Sequence, residues 1–147
     1  MRSPASIGKH PVHPMLVVFP IGLWVFSLVC DLIGLTVAEP QVWFTVALYT
    51  MVGGLIGALL AAVPGLIDLL YYKGGKPPLK RVALTHMAIN LSAVALYILN
   101  VLMRVGGHES MRIPIALSLL GVAMIAVSGW LGGQMVHVYG VGVQGRE

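Results

Sequence analysis

Residues 42–72 read VWFTVALYTMVGGLIGALLAAVPGLIDLLYY, a run of 31 residues in which Asp68 is the one charged side chain. A helix that crosses a bilayer needs about 20 predominantly apolar residues, so this run is long enough to span the hydrocarbon and to continue beyond it. We expect Pro64 and Gly65 to kink the helix or to mark where it leaves the membrane. The run predicts an integral membrane protein.

Three further apolar runs are long enough to cross a bilayer, at residues 15–37, 82–105 and 113–138. The connections between the runs are short, so consecutive helices should be antiparallel neighbours. The first run is long enough to span the membrane, and no small-residue cleavage site follows it. We therefore expect no cleavable signal peptide. The sequence predicts an all-α protein, an integral membrane antiparallel four-helix bundle that forms a single transmembrane domain over residues 1–147.

The composition supports a membrane protein and excludes other classes. Hydrophobic residues make up 58% of the chain and charged residues 10%, whereas soluble globular proteins carry roughly 25% charged residues. A soluble domain, a disordered chain and a nucleic-acid-binding module are excluded, and the single cysteine forms no internal disulfide. Among 18 glycines, the pairs Gly53/Gly57 and Gly129/Gly133 have the spacing that lets helices pack closely. These glycine-rich faces also leave a homodimer open.

Lys and Arg are unevenly divided between the two sides of the predicted bundle. The side that holds both termini and the second connection has seven of them, and the other side has two, Arg104 and Arg112. The seven are Arg2, Lys9, Lys73, Lys76, Lys80, Arg81 and Arg146. Because positively charged loops stay in the cytoplasm, we predict that both termini are cytoplasmic.

Ionisable residues in or beside membrane spans are candidates for function, since they are costly to bury. In the predicted topology four of the five histidines, contributed by three helices, share the cytoplasmic layer with Asp68. These histidines are His10, His13, His86 and His137. His108 lies alone on the far side, beside Glu109, and is expected to be a solvated loop residue.

The same residues also have structural interpretations. His10 and His13 each precede a proline, which favours an extended backbone, and Pro14 is suited to be the first residue of a helix with His13 as its cap. Asp68 could pair with a nearby cation or histidine and tie helix ends together. We favour a functional interpretation because four histidines converge on one layer.

Two neutral imidazoles on facing helices can ligate a haem iron from both sides. There is no C-x-x-C-H motif for covalent attachment, so the haem would be b-type. The first and third helices lie diagonally in a simple four-helix bundle, and His13 and His86 are the expected axial ligands. His10 and His137 would form a second pair or donate hydrogen bonds to the ligands. Cations that could pair with haem propionates lie at the same end: Lys9, Lys73, Lys80 and Arg81.

Other interpretations of the histidine layer remain open. Three histidines with Asp68 would satisfy Zn²⁺ or a similar transition metal, although no contiguous metal motif is present. Imidazoles that titrate near neutrality could conduct or sense protons. The chain could also be a non-catalytic structural subunit of a membrane complex. A nucleophilic hydrolase is not supported, since there is no G-x-S-x-G motif.

Two long motifs resemble the signatures of a known family. Residues 10–24, HPVHPMLVVFPIGLW, resemble the opening signature of the DUF2231 family of predicted bacterial membrane proteins, and residues 129–143, GWLGGQMVHVYGVGV, resemble its closing signature. Residues 65–68 and the region of His86 are similar to its two middle elements.

The resemblance implies a four-span protein of the bacterial inner membrane that binds haem b through the histidines of these motifs. The closing motif departs from the family, which more often has histidine directly before GVGV. Here His137 stands two residues earlier and Tyr139 takes its place, a shift that turns a helical side chain by about 200°.

From the histidine layer and this resemblance we expect a membrane b-type haem protein with bis-histidine ligation near the cytoplasmic face. With both axial positions filled by protein, one-electron transfer is favoured over oxygen chemistry. A quinone or superoxide is the expected partner, in an electron-transfer cytochrome or an oxidoreductase. Asp68 would hydrogen-bond a ligating imidazole or relay a proton.

Overall fold

The computed structural model describes residues 3–71, 77–107 and 110–143 of the chain. Its elements, in chain order, are two short strands, β1 (Ser6–Ile7) and β2 (His10–Pro11), and five helices, α1 (Val12–Leu16), α2 (Val18–Gly34), α3 (Gln41–Tyr71), α4 (Pro77–Val105) and α5 (Arg112–His137). The predicted positions of Arg2, Lys73, Lys76, His108 and Arg146 lie outside the described residues.

Helices α1 and α2 together form the first membrane span, Val12–Gly34. The break between them at Val17 lies before Pro20, which has no amide hydrogen for the carbonyl one turn earlier. The Val17 amide nevertheless donates to the His13 carbonyl at 3.1 Å, and the Ile21 amide donates to the Val17 carbonyl at 3.2 Å. These two bonds continue the helical hydrogen-bond pattern across the break.

The four predicted spans are confirmed, and all four begin earlier than the apolar runs, the first and third by three or more residues. The first span begins at Val12, so His13 is a helical residue and not the cap of a helix that starts at Pro14. Helix α4 begins at Pro77, five residues before the predicted start, because proline is tolerated in a first turn whose amides have no helical partner. Helix α3 continues through Pro64 and ends at Tyr71, so Pro64 does not end the helix.

The four spans form an antiparallel bundle in which α2 packs mainly on α3 and α5, and α4 packs on the same two helices. Helices α2 and α4 are therefore diagonal to each other, as predicted. All four spans have the length and hydropathy of membrane helices. Their outward side chains are large and apolar, with Trp130 80% exposed and Leu102 63% exposed, which is the pattern of a helix that faces lipid.

The core of the bundle is centred on an aromatic pair from the two diagonal helices. The rings of Trp24 and Tyr97 stack with centroids 4.1 Å apart and planes 13° apart. The Trp24 indole donates a hydrogen bond to the Met51 carbonyl at 3.2 Å. A Cβ at Gly54 would collide with the Trp24 indole, and a Cβ at Gly121 would lie 2.6 Å from the Tyr97 ring. Glycine at these two positions lets α3 and α5 approach the aromatic pair.

The two glycine pairs singled out in the sequence have different surroundings. A Cβ at Gly53 would lie 3.3 Å from Leu23, and one at Gly57 would lie 3.1 Å from Pro20, so the first pair packs against α2 as expected. At Gly129 and Gly133 an added Cβ would meet nothing within 4 Å. The prediction of close packing is wrong for this second pair within the chain, because that face of α5 turns away from the other helices.

Candidate functional site

His13 stands at the start of the first span and contacts α3. Its Nδ1 lies 2.8 Å from the carbonyl oxygen of Ala61, in the turn where Pro64 interrupts the helical hydrogen bonding. A Cβ at Gly65 would lie 2.8 Å from the same Nδ1. The absence of a side chain at Gly65 is therefore what lets the His13 ring reach the helix backbone.

His86 stands on α4 and contacts α5. Its Nδ1 lies 2.9 Å from the carbonyl oxygen of Ser128 and 2.9 Å from the hydroxyl of the same residue. Asn90, one turn further along α4, donates from Nδ2 to the Ser128 hydroxyl at 2.6 Å and to the His86 carbonyl at 2.8 Å. His86 thus has hydrogen-bonding partners on its own helix, α4, and on the neighbouring helix, α5.

These contacts fix the protonation of both rings. A carbonyl oxygen can only accept a hydrogen bond, so the Nδ1 atom of His13 and of His86 must carry the proton. The lone pair of each neutral ring then lies on Nε2, which is the atom left to bind a metal. A ligating histidine in a metal site is usually held in this way, with its other nitrogen donating to a carbonyl.

The two rings are neighbours across the diagonal of the bundle, with their planes nearly perpendicular. Their centroids are 6.2 Å apart and their planes make an angle of 87°. Two neighbouring imidazoles, each held through Nδ1 by a carbonyl, are a donor set that would suit an iron bound by both rings. We name His13 and His86 the histidine pair.

His137 does not share the level of the histidine pair. It ends α5 and is exposed, nine residues after the Ser128 that contacts His86, which places it roughly 13 Å further along the helix. Of the four histidines expected in one layer, two therefore lie within the bundle, His13 and His86. The other two, His10 and His137, lie outside it.

His10 is the second histidine outside the bundle. It lies in β2 and is exposed, and its Nδ1 lies 2.9 Å from the Gly8 carbonyl. The hairpin pairs Ile7 with His10 through a turn in which Gly8 and Lys9 have φ of 55° and 71°. Both φ values are positive, as in the tightest hairpin turns. The extended backbone expected before proline is thus found at His10 but not at the helical His13.

Asp68 has a different partner from the predicted imidazole. Its carboxylate accepts a hydrogen bond from the Ser3 hydroxyl at 2.5 Å, and Ser3 is 8% exposed. Asp68 lies seven residues beyond Ala61, roughly 10 Å further along α3. It fastens the segment that leads into the hairpin and then into His13.

Arg81 is exposed near the start of α4, five residues before His86. This places it roughly 7 Å from the level of the histidine pair, towards the end of the bundle. A long arginine side chain at that position can reach an anionic group bound beside the pair. Among the described residues, no three His, Cys, Asp or Glu side chains come together in a group that could hold a metal ion.

A buried ion pair at the opposite end of the bundle was not predicted from the sequence. Arg104 donates to both carboxylate oxygens of Asp31 at 2.8 and 2.6 Å, and the two side chains are 3% and 0% exposed. Arg104 also donates to Asn100 at 2.9 Å, and Asn100 donates to the Pro114 carbonyl at 2.8 Å and the Ser118 hydroxyl at 2.9 Å. Arg104 was counted among the cations of the side opposite the termini, and the structure shows that its side chain is buried at that end.

The sequence does contain a sign of this network. Asp31 and Asn100 are polar residues within apolar runs, where such residues are costly and usually have a partner. The ion pair joins α2 to α4. The histidine pair lies towards the other end of the bundle, with His13 on α1, which leads into α2, and His86 on α4. The stack of Trp24 on Tyr97 lies between these two contacts along the helices. The ion pair and the aromatic stack are thus two contacts that join α2 and α4 at different levels of the bundle.

The fold and this site define an all-α membrane protein of four spans, with a pair of histidines between its diagonal helices. A family model described as a predicted membrane protein, DUF2231, matches residues 9–145. The chain therefore belongs to the DUF2231 family, which confirms the resemblance drawn from the end motifs. Comparisons with curated proteins and with solved structures find no match.

Proposed function

We propose that this protein binds one b-type haem between His13 and His86 and transfers single electrons. The observation that carries the proposal is the histidine pair, with centroids 6.2 Å apart. Each ring is anchored through Nδ1 to a backbone carbonyl on a different helix. Both Nε2 atoms are left for an iron, and a bundle core is a common place for such a cofactor.

The same geometry favours haem over a zinc-like site. A structural or catalytic zinc ion takes at least three protein ligands, and the described residues bring no such group together. The carboxylate expected to complete it, Asp68, accepts a hydrogen bond from Ser3. Two axial imidazoles are sufficient for haem because the porphyrin supplies the other four nitrogens.

The charges around the pair suit the edge of a haem. Lys9, Lys80 and Arg81 are all exposed at the end of the bundle nearest the pair, where propionates could meet them. We infer that Arg81 pairs with one propionate. By the positive-inside rule this end faces the cytoplasm, and with the bacterial family resemblance the proposed location is the inner membrane.

Bis-histidine ligation directs the proposed chemistry towards electron transfer. A bound haem would supply one-electron redox chemistry, and His13 and His86 would both hold its iron, which would disfavour O₂ binding. The protein holds the two imidazoles in place and shields the centre with apolar helices. The proposed partner is a diffusible one-electron carrier of the quinone or superoxide class.

The proposal is tested by titrating haem into the detergent-purified protein, prepared without added haem precursor, and following the Soret band. We expect the absorbance to rise to an end point at one haem per chain, with the spectrum of a six-coordinate low-spin iron. A five-coordinate spectrum, or absorbance that rises without an end point, would contradict ligation by both histidines.

Gly65→Ala is expected to weaken haem binding at least tenfold. The new Cβ would lie 2.8 Å from Nδ1 of His13, so the ring must move from its anchor, and a ligand displaced by about 1 Å no longer fits the site. The matched control is Gly132→Ala, whose Cβ would make an ordinary contact of 3.5 Å with the His86 ring. The same titration measures both variants, and equal affinities would show that the Gly65 contact does not position His13.

A further inference from the structure

We propose that Asn90 and Ser128 are positioning residues that hold the plane of the His86 ring perpendicular to that of His13. The inference rests on the proposed function, because its consequence is read from the iron between the two rings. It assigns a role to two polar residues inside apolar helices, a class of residue that is costly in a membrane.

The two imidazoles are held in different ways. The Nδ1 of His13 has one acceptor, the carbonyl of Ala61. The Nδ1 of His86 has two oxygen atoms of Ser128 at 2.9 Å, the carbonyl and the hydroxyl. One acceptor lets a ring turn about the hydrogen bond, whereas a second acceptor for the same N–H restricts that rotation.

Asn90 determines where the Ser128 hydroxyl points. Its amide nitrogen donates to that hydroxyl at 2.6 Å and to the His86 carbonyl at 2.8 Å. The hydroxyl oxygen therefore accepts from Asn90 and lies 2.9 Å from Nδ1 of His86. Ser128 is 3% exposed, so water does not compete for these bonds.

The angle between the rings has a consequence for a ferric iron held between them. The orientation of each imidazole plane sets which iron d orbital it raises in energy. Perpendicular planes raise two orbitals equally, and parallel planes split them. With planes at 87°, the ferric protein should give a highly anisotropic low-spin signal in electron paramagnetic resonance, not a rhombic one.

The experiment records electron paramagnetic resonance spectra of the ferric, haem-loaded protein and of Ser128→Ala. The parent protein should give the highly anisotropic signal. In Ser128→Ala the carbonyl anchor remains and the second acceptor is lost, so we expect a shift towards a rhombic low-spin signal with unchanged haem content. Ser27→Ala is the matched control, because Ser27 is also buried and bonds a backbone carbonyl, at 2.9 Å from Ala47, but lies far along α2. It should keep the parent signal.

Asn90→Ala provides a second, independent variant. It should shift the signal in the same direction, and the double variant with Ser128→Ala should shift it no further, since both act on one contact. A rhombic low-spin signal from the parent, or an unchanged signal in both single variants, would overturn the inference while leaving haem binding intact. Absence of any bound haem would overturn the proposed function itself.

Discussion

Replacing His86 by alanine is expected to weaken haem binding by more than about 100-fold, since removal of even an outer partner of a ligand costs 10- to 100-fold. The replacement removes one of two axial nitrogens and leaves the Ser128 carbonyl without its donor. The protein purified from cells supplied with haem precursor should lose its Soret band. His13→Ala should have the same effect, because the pair acts as one site.

The chain offers matched controls for these two variants. His10→Ala and His137→Ala also remove an imidazole, but both residues are exposed and outside the bundle. Their Soret bands should keep full strength and position. A full-strength, unshifted band in His86→Ala would remove His86 from the site, and loss of the band in His137→Ala would contradict the assignment of the site to His13 and His86 alone.

Replacing Asp31 by alanine is expected to lower the free energy of unfolding by about 3–5 kcal/mol, the range found when one partner of a buried ion pair is removed. The Arg104 guanidinium would remain buried, with Asn100 as its remaining partner. Reversible unfolding of the detergent-solubilised protein, followed by circular dichroism, measures the change. Arg112→Ala, at an exposed arginine beyond the same end of the bundle, should change stability by less than about 0.5 kcal/mol.

A double variant separates the cost of an unpaired charge from the value of the pair. Asp31→Leu combined with Arg104→Met replaces both charges by apolar groups, which is often neutral for a buried pair. It should therefore be more stable than either single variant. If Asp31→Ala costs less than about 1 kcal/mol, the ion pair does not tie the diagonal helices together.

The number of spans could be predicted because it depends on the lengths of apolar runs, which a sequence displays directly. Short connections fixed antiparallel neighbours, and the diagonal placement of α2 and α4 followed. The start of α4 was less predictable, since residues 77–81 are two prolines, one leucine and two cations, yet they are helical. Helix ends depend on caps and tertiary contacts more than on hydropathy.

This uncertainty in helix ends affected the predicted site. His86 was placed about one turn into its helix, whereas it lies nine residues after the start of α4, or about two and a half turns in. The level of the His86 ring is set by its contact with Ser128, and His137 lies well beyond that level. His13 and His86 could be predicted as a pair from topology. With the helix boundaries that the structure shows, the four histidines do not lie in one layer.

The polar contacts across the bundle could not be predicted for a different reason. Each span is apolar on nearly every face, so the sequence does not show how a helix is rotated about its axis. Arg104 stands near the end of an apolar run and was counted only as a cation of that side of the bundle. Only the rotation of α4 shows that it meets Asp31, and that Asn90 meets Ser128.

The central claim, a single b-type haem held by His13 and His86, is tested most directly by the absorption spectrum of the purified protein from cells supplied with haem precursor. Spectra of the oxidised and dithionite-reduced forms are recorded, and a pyridine haemochrome counts haem per chain. We predict one haem per chain and a sharp reduced α-band of six-coordinate b-type haem. A colourless protein without a Soret band would contradict the claim.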